Sequence, residues 1–251
     1  MSLKRLEQDD FLVSTQSVSQ TVWSSNQPSL FNFKTLLQQR NSPSGKYYLS
    51  VYSDINNQSL GGNTFNTEVG DEEVQFDIAY CHKNGIGATR YNQTYDASPT
   101  STLYGQYRTL LMENENAEFR FGGSSISNDF YVINVSRSRF KEKLLPGSFN
   151  LTLMDVDAGA DGYHVTGNEL TLTDNSGVGS GPEYLGTQRV YQVIRGRNGN
   201  PESTDPKNGL TSVGSYGWFL PDIGVILLNA NALALSTDDG GIDLSQIPAD
   251  E

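Results

Sequence analysis

The sequence has little of the chemistry that marks a secreted, membrane-bound or disulfide-stabilised protein. Cys81 is its one cysteine, which excludes an internal disulfide framework and any zinc site built from several cysteines. No apolar stretch approaches the length of about 18 residues that a membrane span needs. The basic residues near the start are not followed by the apolar core of a secretory signal. We therefore expect a soluble protein, made in a reducing compartment, without a membrane partner.

Charged residues are also scarce, at 18% of the chain, and their balance is acidic, with a formal net charge of −12. A general nucleic-acid binder needs a cationic surface for phosphate contacts, so we expect no nucleic-acid partner. The chain is instead rich in small polar residues and in aromatic ones, with 13 Tyr and 11 Phe. Aromatic residues favour strands and small polar residues favour turns. This composition predicts a β-rich protein with many loops.

The centre of the fold is predicted at residues 130–135. They form a short apolar run rich in aromatic and β-branched side chains, which is typical of a strand covered on both faces. Pro146 and Gly147 then predict a turn, because proline fixes φ at one turn position and glycine accepts a positive φ at the next. A second strand follows at 149–153, where apolar side chains alternate with polar ones.

Elsewhere, apolar periodicity predicts one amphipathic helix and several more strands. The helix spans 98–112, with Ser98 as its N-cap and Pro99 at its first position, and its apolar face should lie on the sheet. The apolar positions of this helix are Leu103, Tyr107, Leu110 and Leu111. The further strands are predicted at 47–52, 74–82, 117–121, 169–173, 189–195 and 223–229.

Together these elements predict a mainly β fold: an antiparallel, β-sandwich-like core with one or two short helices and an extended N-terminal arm. We divide the chain into the arm at 1–45, a β-rich core domain with one helix at 46–155, and a second β-rich region at 156–251. One continuous sheet across the boundary near Asp155 is the alternative. A chain of 251 residues fits one large domain or two small ones.

The arm is polar but carries scattered large apolar side chains, among them Trp23, Phe31 and Phe33. Such a segment cannot build a core of its own, and aromatic side chains are costly to leave in water. We therefore predict that residues 1–45 pack on another subunit and become ordered there, with these three aromatic residues binding the partner. A short helix beginning near Ser29 is also predicted.

No set of residues predicts catalysis or a cofactor, so we expect a protein that is not an enzyme. The two histidines are His82 and His164, and neither lies at a spacing known for a catalytic base. Cys81 and His82 are neighbours in a predicted strand, so their side chains should point to opposite faces and cannot act as nucleophile and base.

Two further stretches resemble ligand-binding loops incompletely. Asp155, Asp157 and Asp161 follow part of the pattern of a calcium loop, but its glycine and glutamate positions do not match, and an ordinary acidic turn is favoured. The glycine-rich stretch 177–182 lacks the helix that a phosphate-binding loop requires after it. We therefore predict no metal site and no cofactor site.

A concentration of positive charge follows the predicted central strand. Four of the 17 basic residues lie within seven positions: Arg137, Arg139, Lys141 and Lys143. A solvated loop and a docking surface are both consistent with this pattern. Docking is supported by acidic runs such as 71–73, through which copies or relatives of this chain could meet it with complementary charge.

The stretches 98–108 (SPTSTLYGQYR) and 130–153 (FYVINVSRSRFKEKLLPGSFNLTL) resemble virion structural proteins of contractile-tailed phages, especially those of marine cyanobacteria. The resemblance covers about residues 1–155. It implies a tail or baseplate component, more narrowly a baseplate wedge component, that assembles in the host cytoplasm with other virion proteins and with copies of itself. The alternatives are a carbohydrate- or receptor-binding module of a tail fibre, with exposed Tyr and Trp as stacking platforms, and a polysaccharide hydrolase with scattered acids.

Overall fold

The computed structural model describes residues 19–20, 33–34, 48–54, 72–87, 99–159, 162–178, 181–202 and 213–244. The strands in these ranges are β1 Ser19–Gln20, β2 Phe33–Lys34, β3 Tyr48–Asp54, β4 Glu72–His82, β5 Asp129–Val135, β6 Lys143–Leu144, β7 Asn150–Gly159, β8 Gly162–Asp174, β9 Glu183–Leu185, β10 Gln188–Arg197, β11 Asn200–Pro201, β12 Gly217–Leu220 and β13 Val225–Asn229. The α-helices are α1 Pro99–Met112 and α2 Ala230–Leu233, and short 3-10 turns occur at Arg137–Arg139, Ser176–Val178 and Thr237–Asp239.

Nine strands follow one hydrogen-bonded order, β2-β3-β4-β5-β13-β12-β10-β8-β7, and β9 and β11 pair with β10. Every pairing in this sheet is antiparallel. Strand β13, from the C-terminal part of the chain, lies between β5 and β12. Strands from both sides of Asp155 therefore share one sheet.

The predicted central strand is confirmed as β5, which lies inside the sheet between β4 and β13. Phe130 and Val132 are fully buried on the face that α1 covers, while Tyr131 and Ile133 pack on the opposite face. The predicted turn is confirmed as well. Gly147 has φ +83°, and the N–H of Ser148 donates to the carbonyl of Leu145 at 3.2 Å.

The first face of the sheet, called the helix face here, is covered by α1. Tyr104 and Leu111 are buried there, and the Tyr104 hydroxyl donates to the carbonyl of Ser127 at 3.2 Å. Helix α1 confirms the predicted helix, although Ser98 lies outside the described residues. Leu110 is 44% exposed, because the buried stripe runs through Tyr104 and Leu111, seven residues apart, and the neighbouring position turns away from it.

The second face is covered because the sheet curls. Leu170 and Leu172 of β8 share one apolar cluster with Ile226 of β13, and the rings of Phe149 and Phe219 stack with centroids 5.4 Å apart. The mainly β, antiparallel class is thus confirmed. The strands form one continuous order rather than two separate sheets, so the described residues do not establish a sandwich.

The strand predicted at 117–121 is wrong. This stretch forms a loop with a single bridge between Phe119 and Ser127, and Phe121 has a positive φ of 45°. Phe119 and Phe121 are buried because the loop fills the space beside α1, where the rings of Phe119 and Phe130 lie 4.5 Å apart. A loop that plugs a core therefore has the apolar pattern of a strand.

Two short pieces of the predicted arm lie within the described residues, and both pair with strands of this chain. Strand β1 runs parallel to β6, and β2 runs antiparallel to β3. Packing of the arm on another subunit stays a prediction. The helix predicted near Ser29 is wrong at Phe33 and Lys34, which form β2. Trp23 and Phe31 lie outside the described residues and only the backbone of Phe33 is described, so their partner-binding role stays a prediction.

The backbone of the two stretches that resemble ligand-binding loops differs from the backbone of such loops. Asp155 and Asp157 belong to the extended strand β7, which is not the wrapping loop of a calcium site, and Asp161 lies outside the described residues. The glycine-rich stretch 177–182 is followed by strand β9 instead of a helix. Within the described part of the chain there is no group of metal-binding side chains. None of the helices described there has the length and apolar character of a membrane span.

Candidate functional site

The four clustered basic residues lie in residues 137–143, called the basic segment here, which connect β5 to β6. The backbone of this segment is fixed at its start. The N–H of Ser136 donates to the carbonyl of Gln75 at 2.9 Å, and the N–H of Arg139 donates to the carbonyl of Ser136 at 2.8 Å. The second of these bonds closes the 3-10 turn at Arg137–Arg139.

Two apolar side chains anchor the segment in the core. Phe140 and Leu144 are buried in the cluster on the second face. The N–H of Leu144 donates to the carbonyl of Pro221 at 2.8 Å, and the ring of Phe140 lies against Gly224. The segment is therefore held by buried residues, while charged side chains between and beside them stay at the surface.

Arg137 is exposed but packs on its own loop. Its guanidinium carbon lies 4.6 Å from the centroid of the Phe140 ring, a cation–π distance. Its Nη1 donates to the carbonyl of Glu142 at 3.3 Å, and more weakly to that of Phe140 at 3.5 Å. These contacts restrict the side chain and hold its charge over the turn.

The other three cations extend this surface toward β6. The Nε of Arg139 donates to the hydroxyl of Ser138 at 3.1 Å. Lys141 is exposed, and Lys143 is half-buried in β6, where its backbone pairs with Ser19. Glu142 offsets one of the four positive charges, so the segment carries a net charge of +3. The structure thus places all four predicted basic residues in one short, anchored connection.

A second candidate is an open groove of about 490 Å³ where β8, β10 and β11 meet. Its lining is polar and of mixed charge: Glu169, Thr171, Arg195, Gly196, Arg197, Asn200, Pro201 and Glu202. Arg195 forms an ion pair with Glu202, with Nε and Oε2 2.9 Å apart. The Nη2 of Arg197 donates to the hydroxyl of Thr171 at 3.3 Å. Sequence analysis missed this groove, because strand register brings residues far apart in the chain to one place.

The residues considered for nucleophilic chemistry are placed as expected. Cys81 is fully buried on the helix face, and burial raises the pKa of its thiol. His82 lies on the opposite side with Tyr80, at a ring-centroid distance of 6.3 Å. Burial lowers the pKa of His82, although Asp129 partly opposes this, and its Nδ1 accepts from the N–H of Asn84 at 3.0 Å. The prediction that Cys81 and His82 point apart is confirmed.

The Tyr and Trp platforms expected of a carbohydrate-binding module differ in their exposure. Trp218 is only 4% exposed and packs in the core of the helix face, whereas Tyr184 of β9 is 68% exposed. A single exposed aromatic side chain is common on protein surfaces. Tyr48 of β3 is also exposed, at 44%, and neither tyrosine lines the groove, so these two residues do not define a binding site.

Comparisons of this chain with known protein families, curated proteins and solved structures found no significant match. Its function is therefore argued from its own residues and their geometry.

Proposed function

We propose that this protein is a non-enzymatic structural component of a phage virion, and that it helps to build a contractile tail or baseplate through contacts between subunits. The phage context is supported by the resemblance of the stretches 98–108 and 130–153. The first covers most of α1, and the second runs from β5 through the basic segment to the start of β7. The stretches that carry the resemblance thus include the candidate docking surface.

The observation that carries the assembly role is the anchored basic segment. Association costs less when the groups that bind are already ordered, and Phe140 and Leu144 fix this connection before any partner arrives. Exposed ion pairs contribute only about 0 to 1 kcal/mol each. The segment therefore acts mainly on partner choice and register, through complementary charge.

A reconstruction of the assembled phage particle tests the proposal. We expect the guanidinium and ammonium groups of the basic segment to lie within about 4 Å of carboxylates on another subunit. A segment that faces open solvent in the assembled particle would contradict the docking role. A chain that is absent from the particle would contradict the virion assignment itself.

The polar groove supports a second candidate, a carbohydrate-binding module of a tail fibre. Its volume of about 490 Å³ is in the range of ligand sites, which are roughly 300–1,000 Å³ and usually mostly apolar. This groove is instead lined by carboxylate, guanidinium and amide groups, which suit a polyhydroxyl ligand. Binding in a glycan array that Arg197→Ala abolishes would favour this candidate over the assembly role.

The same groove raises the hydrolase alternative, because it holds two carboxylates, Glu169 and Glu202. Glycoside hydrolysis uses such a pair, with one carboxyl group acting as general acid from an environment that keeps it protonated. Here Glu202 is paired with Arg195, and Glu169 is exposed. Clear turnover of a polysaccharide by the purified protein, lost in Glu169→Gln, would replace the structural assignment.

A further inference from the structure

The basic segment adjoins one particular end of the sheet. The N–H of Leu144 donates to the carbonyl of Pro221, and the N–H of Val135, at the end of β5, donates to the carbonyl of Gly224. Pro221 and Gly224 lie in the turn that joins β12 to β13. This turn marks the basic end of the sheet.

Strand register places the hairpin formed by β7 and β8 toward the opposite end. Strand β12 leads away from the basic end over three residues, from Leu220 to Gly217. Gly217 pairs with Val193 of β10, and Val193 pairs in turn with Asp174 of β8. Strand β8 continues in the same direction for five residues, from Asp174 to Glu169. Measured along the strands, these eight residues correspond to roughly 26 Å at about 3.3 Å per residue.

Beyond this point the hairpin extends as a two-stranded ribbon. Strand β8 pairs with β10 only at 172–174, whereas its pairing with β7 continues to Gly159 and Gly162. No third strand among those that the structure describes pairs with residues 154–159 or 162–169. A two-stranded ribbon is only marginally stable in water by itself, and its open edge offers backbone groups to another chain.

The sequence of this ribbon is acidic. Residues 155–159 and 162–169 include Asp155, Asp157 and Glu169, and contain neither Lys nor Arg. Pairing of β7 with β7 of another copy would bring Asp155 and Asp157 of both chains into one short ladder, which like-charge repulsion opposes. A basic surface is the complementary partner, and the ribbon runs along the strands away from the basic segment of the same chain.

We infer that the β7–β8 hairpin of one copy docks on the basic segment of a second copy. This contact rests on the proposed assembly role and names one partner for it. It joins two different surfaces, so it is heterologous, and repeating it produces a closed ring or an open helical stack. A head-to-tail contact of this kind suits a tail or baseplate, in which copies are arranged around or along an axis.

Sedimentation velocity of the full chain, at low and at high salt, tests this contact. We expect the wild type to form concentration-dependent oligomers at low salt that dissociate at high salt. Lys141→Glu should weaken self-association by about tenfold. The control is Lys83→Glu, which makes the same charge change at an exposed residue outside the basic segment and also breaks the surface ion pair with Glu118; it should leave association unchanged.

Charge reversal on both surfaces gives the decisive comparison. Arg137→Glu with Lys141→Glu, and separately Asp155→Lys with Asp157→Lys, should each yield a monomer, and a mixture of these two proteins should associate again. Restored association in the mixture also shows that both variants are folded. A wild type that stays monomeric at low salt, or a hairpin reversal without effect, would overturn the inference. A particle in which the basic segment faces carboxylates of a different protein would overturn it too, while the proposed assembly role would stand.

Discussion

Gly224 lies so close to the ring of Phe140 that a β-carbon on Gly224 would be 2.5 Å from Cζ of that ring. Gly224 also has φ +69°, in the left-handed region that L side chains rarely adopt. These two features make the β12–β13 turn a close-fitting support for the basic segment. The support depends on the absence of a side chain at one position.

Gly224→Ala should therefore destabilise the protein by about 1–3 kcal/mol, through the contact with Phe140 and the backbone strain. Urea unfolding measures the change. Gly105→Ala is the matched control, because a β-carbon at Gly105 in α1 would meet no atom within 4 Å; it should stabilise by about 0.5–1 kcal/mol. Equal stability of the Gly224→Ala variant and the wild type would show that the segment is not held by this contact.

Replacement of Arg137, Arg139, Lys141 and Lys143 by Ser should weaken association with the assembly partner, and the loss should be largest at low salt. Thermal melting should change little, because Phe140 and Leu144 are buried, whereas Arg137 makes its contact with the carbonyl of Glu142 at the surface. Co-sedimentation with assembled particles at two salt concentrations measures the first effect, and circular dichroism the second. Lys83→Ser with Arg120→Ser removes exposed positive charge elsewhere and serves as the control; an equal loss in both variants would indicate a general charge effect.

Asp174 is fully buried at the end of β8. Both of its carboxylate oxygens accept from the N–H of Gly147, at 3.0 and 2.8 Å, and Oδ1 also accepts from the N–H of Ser176 at 3.0 Å. Asp174→Ala should cost about 2–4 kcal/mol, since it leaves buried donors without an acceptor. Asp222→Ala should cost less than about 1 kcal/mol, because Asp222 forms an exposed ion pair with Arg189. Similar urea midpoints for the two variants would contradict this assignment.

Burial raises the pKa of Tyr107 in α1 to about 12, with smaller contributions from Cys81 and Asp77. In the unfolded chain a tyrosine ionises near pH 10. Above that pH the unfolded chain has lost a proton that the folded chain still holds, so the free energy of unfolding falls as pH rises from about 10 toward 12. The neutral phenol therefore contributes its full stabilisation below about pH 10 and loses it as the pH rises from about 10 to about 12.

Tyr107→Phe removes this titration and should lessen the loss of stability by about 1 kcal/mol at about pH 11. The phenylalanine ring keeps the edge contact with Phe130, whose centroid lies 6.2 Å away. Guanidinium unfolding followed at several pH values measures the effect, with Tyr184→Phe at an exposed position as the control. Parallel pH profiles for wild type and Tyr107→Phe would disprove the linkage.

Local signals in the sequence predict part of this fold well. Strand β5 and the turn at Gly147 have signatures within a few residues, so they could be found without the structure. Strand β12 was missed because it has only four residues, which begin with Gly217 and are followed by Pro221, so its apolar run is short and lies between two residues typical of turns. The stretch 117–121 was mistaken for a strand because burial of Phe119 and Phe121 in a loop produces the same apolar pattern.

The candidate site likewise has one part that the sequence predicts and another part that only the fold reveals. The basic segment is contiguous in sequence, so its charge is visible at once, but its support by Pro221 and Gly224 comes from residues about 80 positions further along. The groove depends on the pairing of Thr173 with Ile194 and of Leu172 with Arg195. Sequence periodicity defines which residues share a face of one strand, but it does not define which strand lies next to it.

The position of β13 has a consequence for how the chain folds. Val225 pairs with Asn134, which precedes it by 91 positions, and until β13 is synthesised β5 lacks one of its two neighbours. Contacts of such long sequence separation slow folding, because the loop must close before the pairing is gained. During translation the emerging chain therefore carries an apolar, half-paired β5 while the residues between Val135 and Val225 are added, about a third of the sequence. This interval is when aggregation, or capture by a chaperone, competes with completion of the sheet.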